Sequence, residues 1–580
     1  MSELIVGIDL GTTNSELAVS RDGKIEVLPI HGNPIMPSCV GLDPEDKLIV
    51  GQAARNQLVS APEHTLLSIK RKMGESGKVR LGEKEFSPEE ISSFILRELK
   101  QEGERQLGQP IRKAVITVPA FFNELQRKAT QVAGELAGLD VVRILNEPTA
   151  AALAYGGGAA ESETMLVYDL GGGTFDVSVV VAERGVVEVK ASHGDTHLGG
   201  DDFDQLLVDA AVLEFKRLHN IDLLLDPKTL RRLKVVMERA KRTLSDEPFV
   251  QIREEYLDGQ RHLEMELLRD EYEAMILPLL ERTLTCVHQS LSDAKLEPKD
   301  IQKVMLVGGA TRSPLVQRLL RDRLQLDPRF EINPDLIVSM GAAVQGGVMA
   351  GETKHSILVD ITPHTYSTTA ISFRRGFEEL LCFPIIPRNT PLPASKSEVV
   401  YTMVDNQPST RVEVFQGESD EREQNIFIGE FMAEGFSKAP QGNPIIIHFD
   451  LDLNGMIKVT ATEKITGLAK TVTLDTRGGH KLNIEEARRN MDALIGPLED
   501  QEEDAEGADA DSAGQEGLLT SAKDLRKRAE ALLQKNISLE DAAEIRELIS
   551  QSALAIAGAD WSLLADKNEA LSDVLFYLED

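Results

Sequence analysis

The sequence predicts a multidomain protein: an α/β domain, then an all-β sandwich, then a small C-terminal α-helical bundle. Three observations carry this. Up to about residue 350, apolar strand-like runs alternate with stretches of helical periodicity. From 364 to 474 the runs become short and alternating, with turn residues at close spacing, as in a sandwich. After 481 only helical spacing remains, and at 580 residues the chain is too long for one core.

In the first region, "KAVITVPAFF" (113–122) reads as a strand leading into the helix "NELQRKATQVAGELAGL". "IQKVMLVGGATR" (301–312) likewise leads into "SPLVQRLLRDRL", where serine and proline mark a helix start. "KHSILVDITP" (354–363) is a short apolar run between polar residues and a proline, and reads as a linker. In the β region, "FDLDLNGMIKVTA" is the clearest hairpin, with Asn454-Gly455 at its tip. The last region opens with "NIEEARRNMDALI" and is broken by "GPLEDQEEDAEGADADSAGQEG" (496–517). That run has no lysine or arginine and reads as a solvated acidic loop; three further helical runs follow it. The predicted boundaries are 1–353, 354–360 (linker), 361–480 and 481–580.

Composition narrows the function classes. Hydrophobic and charged contents of 42% and 27% are those of an ordinary soluble globular protein. A formal charge of −32 argues against nucleic acid or an anionic membrane as main partner, since both would repel it. Cys39, Cys286 and Cys382 lie far apart without a C-x-x-C, so reduced buried thiols and a cytoplasmic setting are expected. The start, "MSELIVGIDLG", lacks the basic segment and cleavage site of a signal peptide, and no run approaches a membrane span.

One turn occurs twice. "VGIDLGTTNS" (6–15) and "VYDLGGGTFD" (167–176) each end an apolar strand in an aspartate, Asp9 or Asp169, followed by glycines and hydroxyl residues. A single glycine-rich turn is most simply a hairpin. Two copies, with bared backbone N–H groups and the Thr12, Thr13 and Thr174 hydroxyls, suggest a pair of anion-binding concavities closing on one triphosphate. A hard cation between carboxylate and phosphate would complete the site. "HLGGDDFD" (197–204) and "LVGGATR" (306–312) bring glycine pairs that fit the same cleft, and no P-loop motif is present.

"GIDLGTTNS", "ITVPAFFNELQRKAT", "NEPTAAALAYG", "YDLGGGTFDVSV", "GDTHLGGDDFD", "ERAKRTLS" and "LVGGATRSP" together resemble the DnaK-type, seventy-kilodalton heat-shock chaperones. The resemblance covers nearly the whole chain and fades in the C-terminal helices. It implies an actin-like, two-lobed ATPase domain that binds ATP or ADP with Mg²⁺, and it admits K⁺ as well. It further implies a sandwich that grips extended hydrophobic polypeptide, a helical lid, and a J-domain co-chaperone. By motif, Gly11, Thr12, Thr13 and Asn14 would hold the phosphates from one side, and Gly171, Gly172, Gly173 and Thr174 from the other. Asp9 and Asp169 would order Mg²⁺ through its waters. Lys70 would sit near the γ-phosphate, with Glu147 and Asp176 directing the attacking water. Gly199, Gly200 and Asp201 would border the phosphates; Glu238, Lys241, Arg242 and Ser245, on one helix face, would flank the adenosine. Gly308, Gly309, Arg312 and Asp335 would close its other side.

Pro119 and Arg127 match switch positions, and Leu358 and Asp360 match the docking linker. The peptide groove would involve Thr368, Ile371, Met403 and Thr410. Here the chain departs from the family: DnaK proteins usually read D-V-T-P-L-S-L-G-I-E-T where this one has "DITPHTYSTTA" (360–370). A threonine at an aliphatic pocket position predicts a narrowed or redirected client range. "SVVVAERGVVEV" lacks the longer loop that exchange factors contact, which argues against dependence on one. The acidic run falls where the lid helix usually lies. These departures are similar to the divergent bacterial HscC branch. His193 and His197, four apart in "HGDTH", suggest a metal only weakly, and are expected in a loop at the phosphate cleft.

Two other readings are weighed. A small-molecule kinase on the same fold would leave the linker and sandwich unexplained. A nucleotide-sensing regulator of one dedicated partner would not need Lys70, Glu147, Asp169 and Thr174 all retained.

Overall fold

A computed structural model describes residues 3–21, 23–156, 162–223, 227–329, 333–352, 357–374, 377–465, 469–472 and 484–495, with separate helical residues between 522 and 571. The 496–517 run lies outside the described residues. Residues Met1–Pro497 form one compact unit and Leu498–Asp580 a second.

The α/β region contains two sheets of the same plan. In the first, the order is Asp140–Asn146, Lys113–Val118, Ile5–Leu10, Asn14–Arg21, Lys24–Leu28. In the second it is Pro328–Arg329, Lys303–Val307, Glu163–Leu170, Phe175–Glu183, Val186–Asp195. In each, an antiparallel meander lies on one side of its first strand, and two parallel strands are added on the other. These central strands are buried on both faces, as their uninterrupted apolar sequences require. The repeated turn is therefore the first hairpin of a repeated sheet.

Between the sheets lie two helices rich in small residues, Glu147–Gly156 and Ile337–Met349. Ala150, Ala151 and Ala152 pack with Ile5, Met165 and Ala342 in the core joining the lobes. The outer helix Pro88–Leu107 starts at a reciprocal cap between Ser87 and Glu90, and Glu124–Leu136 at one between Asn123 and Gln126.

The β region is a sandwich. One sheet runs Phe377–Ile386, Tyr366–Arg374, Ser409–Gln416, Ile426–Glu434; the other runs Ala394–Tyr401, Pro444–Leu451, Ile457–Glu463, Ala469–Val472. Tyr366, Ile386, Val414, Phe449 and Val459 fill the space between them. The predicted hairpin pairs Leu451 with Ile457, and Gly455 takes φ +76° at its tip.

Two features differ from the sequence reading. The 354–360 linker is itself part of a sheet: Ile357–Val359 is a strand, parallel to Val186–Glu188, that extends the second sheet of the α/β region. The helix Ile484–Ile495, predicted to begin the C-terminal bundle, instead buries Ala487 and Met491 in the core of the first lobe. Its alternation of small and apolar residues fits a packed face, and length alone did not show against what. Of the later helices, Leu525, Ala529, Ile545 and Leu571 are buried together, within the second unit. Cys39, Cys286 and Cys382 are free and buried. Among the described residues, no helix is long and apolar enough to cross a membrane.

Candidate nucleotide site and its link to the sandwich

The two hairpins meet across a cleft of about 790 Å³. A Cβ on Gly172 would fall 1.9 Å from Thr13 Oγ1, so only glycine lets the second hairpin approach the first. A Cβ on Gly308, at φ +81°, would fall 2.4 Å from the Leu170 carbonyl oxygen and 2.8 Å from Asp169 Oδ1. The helix Gly200–His219 is fastened to the second hairpin, its Gly200 and Asp201 N–H groups donating to the Gly171 and Gly172 carbonyls at 3.0 and 2.7 Å.

Most of the residues predicted from the motifs line this one cavity. Asp9, Gly11, Thr12, Thr13, Asn14 and Lys70 come from the first lobe, with Glu147 behind them. Asp169, Gly171, Gly172, Thr174, Gly200, Asp201, Glu238, Lys241, Arg242, Ser245, Gly308, Gly309, Arg312 and Asp335 come from the second. Gly173 and Gly199 do not line it. They pack behind the wall, against Thr12 and Arg71 and against the Gly172 carbonyl respectively. Asp176 is also one layer back, buried, accepting the Phe121 N–H at 2.9 Å.

Several wall residues escaped the sequence reading. Glu16 pairs with Asp9 in the first hairpin as Asp176 pairs with Asp169 in the second. "DLGTTNSE" aligned on "DLGGGTFD" without a gap would have found it. Arg55 reaches across the cleft to Glu238 with two bonds of 2.7 Å, and Ser68 Oγ donates to Asp201 Oδ2 at 2.6 Å. These bridges join residues more than a hundred positions apart and carry no local signal.

Lys70 is buried in the short turn Ile69–Lys72 and is ion-paired with Glu147. Burial raises the pKa of Asp9, Glu16, Glu147, Asp169 and Asp176, and for Asp169 the neighbouring Glu147, Asp176 and Asp9 raise it further. Asp176 is pushed up to about 8. Lys70 is the cation that opposes all five shifts. Such a set of buried hard oxygens fits a divalent cation. Among the described residues no three His, Cys, Asp or Glu side chains converge as a metal-chelating group.

The sandwich is seated on the α/β domain beside this cleft. Arg127 donates to the Ala120 and Phe122 carbonyls and, at 2.6 Å, to Asn146 Oδ1; Asn146 Nδ2 donates at 3.0 Å to Asp360 Oδ2. Pro119 closes the turn before this helix, its carbonyl accepting from Phe122 N–H. Leu358 is half-buried at the linker strand, packed against the core between the lobes. Glu124 accepts from Ile457 N–H and Tyr366 Oη, both at 3.1 Å, and Asn454 Oδ1 accepts from Ile144 N–H at 3.0 Å. Arg388 and Asn389 both bond to Asp293.

Of the groove positions, Ile371 and Met403 are 46% and 42% exposed, and Thr410 is half-buried. Thr368 is buried, its hydroxyl donating to the Glu413 carbonyl at 2.8 Å, so it presents no free polar group. His193 corrects the expectation of a phosphate-cleft loop. It belongs to the strand Val186–Asp195 and stacks on Phe121 at the domain interface, because the strand continues further than its glycine suggests.

A cleft between two sheets of one plan, each offering a glycine hairpin and an aspartate, defines a two-lobed nucleotide-hydrolysing protein. The chain belongs to the Hsp70 family: the "Hsp70 protein" family model matches residues 5–79 and 76–578. It is 45% identical to the chaperone protein DnaK of Thermotoga petrophila and to that of Thermotoga maritima, over 84% of this chain and 83% of each relative. With the DnaK of Thermosipho melanesiensis the identity is 44%, over 84% and 82%. The protein is accordingly an ATP-dependent molecular chaperone with ATPase activity.

Proposed function

We propose that ATP is bound between the two hairpins and hydrolysed there, and that its state sets how the sandwich holds an extended, hydrophobic polypeptide. The observation that carries this is the seating of the sandwich and linker within two residues of the catalytic carboxylates: Asp360 through Asn146, next to Glu147. The hairpin amides and the Thr12, Thr13 and Thr174 hydroxyls hold the phosphates; Asp9 and Asp169 would hold Mg²⁺ through water, and the ion would supply charge neutralisation. Lys70 faces the γ-phosphate and draws charge from it. Glu147 and Asp176 position the attacking water, so placement and neutralisation supply the catalysis. Glu238, Lys241, Arg242 and Ser245 flank one side of the adenosine and Arg312 and Asp335 the other, in an actin-like arrangement.

The sandwich binds its client through backbone hydrogen bonds and an apolar pocket near Ile371 and Met403. Thr368, where relatives carry an aliphatic side chain, is buried with its hydroxyl committed to the Glu413 carbonyl, and its substitution is in line with a narrowed client range and an HscC-like branch. A J-domain co-chaperone, a cytoplasmic bacterial setting and independence from an exchange factor complete the reading. The test is the dissociation rate of a fluorescent, leucine-rich unfolded peptide with ADP and then with ATP. Faster release with ATP is expected. Tight nucleotide binding without any effect on the peptide would refute the coupling and favour a regulator of one dedicated partner.

A further inference from the structure

Phe121 gives a second short link between the sandwich and the cleft, beside the one through Asn146. His364, from the sandwich, donates its Nε2–H to the Phe121 carbonyl at 2.9 Å. A carbonyl only accepts, so that nitrogen carries the hydrogen. Phe121 gives its own N–H to Asp176 Oδ1, also at 2.9 Å. Its backbone is thus fixed at one end by the sandwich and at the other by a carboxylate of the site. The Phe121 ring lies against two imidazoles, with centroids 4.3 Å from His364 and 5.0 Å from His193. His193 Nδ1 is buried and, among the described residues, finds no hydrogen-bond partner.

We propose that His364 is a positioning residue for ATP hydrolysis: while neutral it seats Phe121 against Asp176 in the docked state, and a second ring proton loosens that seat. This rests on the coupling proposed above. The groups facing the ring divide: the Phe121 carbonyl, which accepts from Nε2–H, favours its charge, and burial outweighs that. Arg127 and His193 repel it from the ATPase side; Glu418 attracts it from the sandwich, but its two oxygens already accept from the Thr365 N–H and hydroxyl. Burial is the largest effect, and it holds His364 down at about 4. His193 is held down as well, by burial and then by Arg388, with Asp293, Glu418 and Asp195 opposing.

Once undocked, the ring meets water and titrates near its ordinary value of about 6.5. The docked state then binds fewer protons. The contribution of His364 to docking is whole above about pH 6.5 and is lost as the pH falls toward 4, amounting to about tenfold at pH 5.5. Two carboxyls in the same interface act the other way. Burial raises Glu124 to about 7 and raises Asp360, so their protonation favours docking in acid. The diagnostic is therefore a difference between variants rather than the wild-type curve.

The experiment measures ATP-triggered release of the fluorescent peptide and single-turnover hydrolysis in the full chain, at about pH 7.5 and 5.5, for wild type, His364→Gln and His364→Leu. Glutamine keeps an N–H donor without titrating and is expected to rescue both rates at the higher pH. At the lower pH it should exceed wild type by about tenfold in ATP-triggered release. Leucine has no donor and should slow hydrolysis at both. A wild-type to glutamine ratio that does not change with pH, with the ATP effect intact, overturns this inference alone. No ATP effect in any of the proteins overturns the coupling reading and this inference with it. The pH ratio needs only the glutamine variant, so a leucine variant that fails to fold leaves the test standing.

Discussion

Replacing Asn454 by alanine isolates one bond of the domain interface. Asn454 stands at the tip of the sandwich hairpin, and its Oδ1 accepts the Ile144 N–H at 3.0 Å. Ile144 is on the edge strand of the first ATPase sheet, so that N–H has no further strand to pair with. With the domains apart, water satisfies it; with the domains together in the variant, nothing does. Leaving a buried donor unpaired costs about 1–3 kcal/mol, or roughly 5- to 150-fold in the docking equilibrium. Asn454 is only partly buried, which places the expected loss at the low end, about tenfold. The hairpin itself survives, because the turn is held by Asp452 Oδ1 accepting from the Asn454 and Met456 backbone N–H groups, both at 2.8 Å. The assay is energy transfer between dyes on the two domains with ATP present, alongside thermal unfolding of the isolated sandwich fold. A variant that docks as wild type does would refute the assignment of docking energy to this bond.

Other expectations follow from the cleft and the core. Lys70→Ala should abolish single-turnover hydrolysis while ATP affinity, measured by titration calorimetry, stays within a few-fold; surviving turnover would remove Lys70 from its role. Arg55→Ala removes the two bonds to Glu238 that close the cleft, and with both partners partly exposed should raise the nucleotide off-rate about fivefold in a stopped-flow chase. Gly341→Ala would place a Cβ 1.7 Å from the Ala150 carbonyl, where the two inter-sheet helices cross; overpacking there should cost about 1–3 kcal/mol or more and lower the melting temperature, and an unchanged melting curve would contradict the close crossing.

The cleft was legible because its glycines, aspartates and hydroxyls are written in contiguous turns. Asp9 through Asn14 and Asp169 through Thr174 carry their aspartates, glycines and hydroxyls within single hairpins, and the structure brings nearly all of them to one cavity. Glu238, Lys241, Arg242 and Ser245 were readable for a similar reason, since helical spacing fixes a shared face. What sequence did not show is pairing over distance. Arg55 with Glu238, and Asn454 with the Ile144 backbone N–H, are contacts chosen by how lobes and domains come together. Gly173 and Gly199 follow the motif but serve packing, since a motif records where backbone must be bare without saying against what. His193 was misplaced because a glycine and an aspartate usually end a strand, whereas here the pairing with Phe175 and Asp176 carries it on to Asp195.

The linker strand has a consequence for the chain's own safety. Ile357–Val359 completes the open edge of the second ATPase sheet along Val186–Glu188. Whenever that strand leaves, two bare rows of backbone donors and acceptors are uncovered together, one on the sheet and one on an extended apolar tripeptide. The tripeptide then has the features of the segments that chaperones capture, and the sheet edge becomes a template for any passing strand. Were the strand to leave, the protein would be exposed to self-capture and to edge-to-edge association with another copy, a hazard that would grow with concentration and with the time spent unpaired.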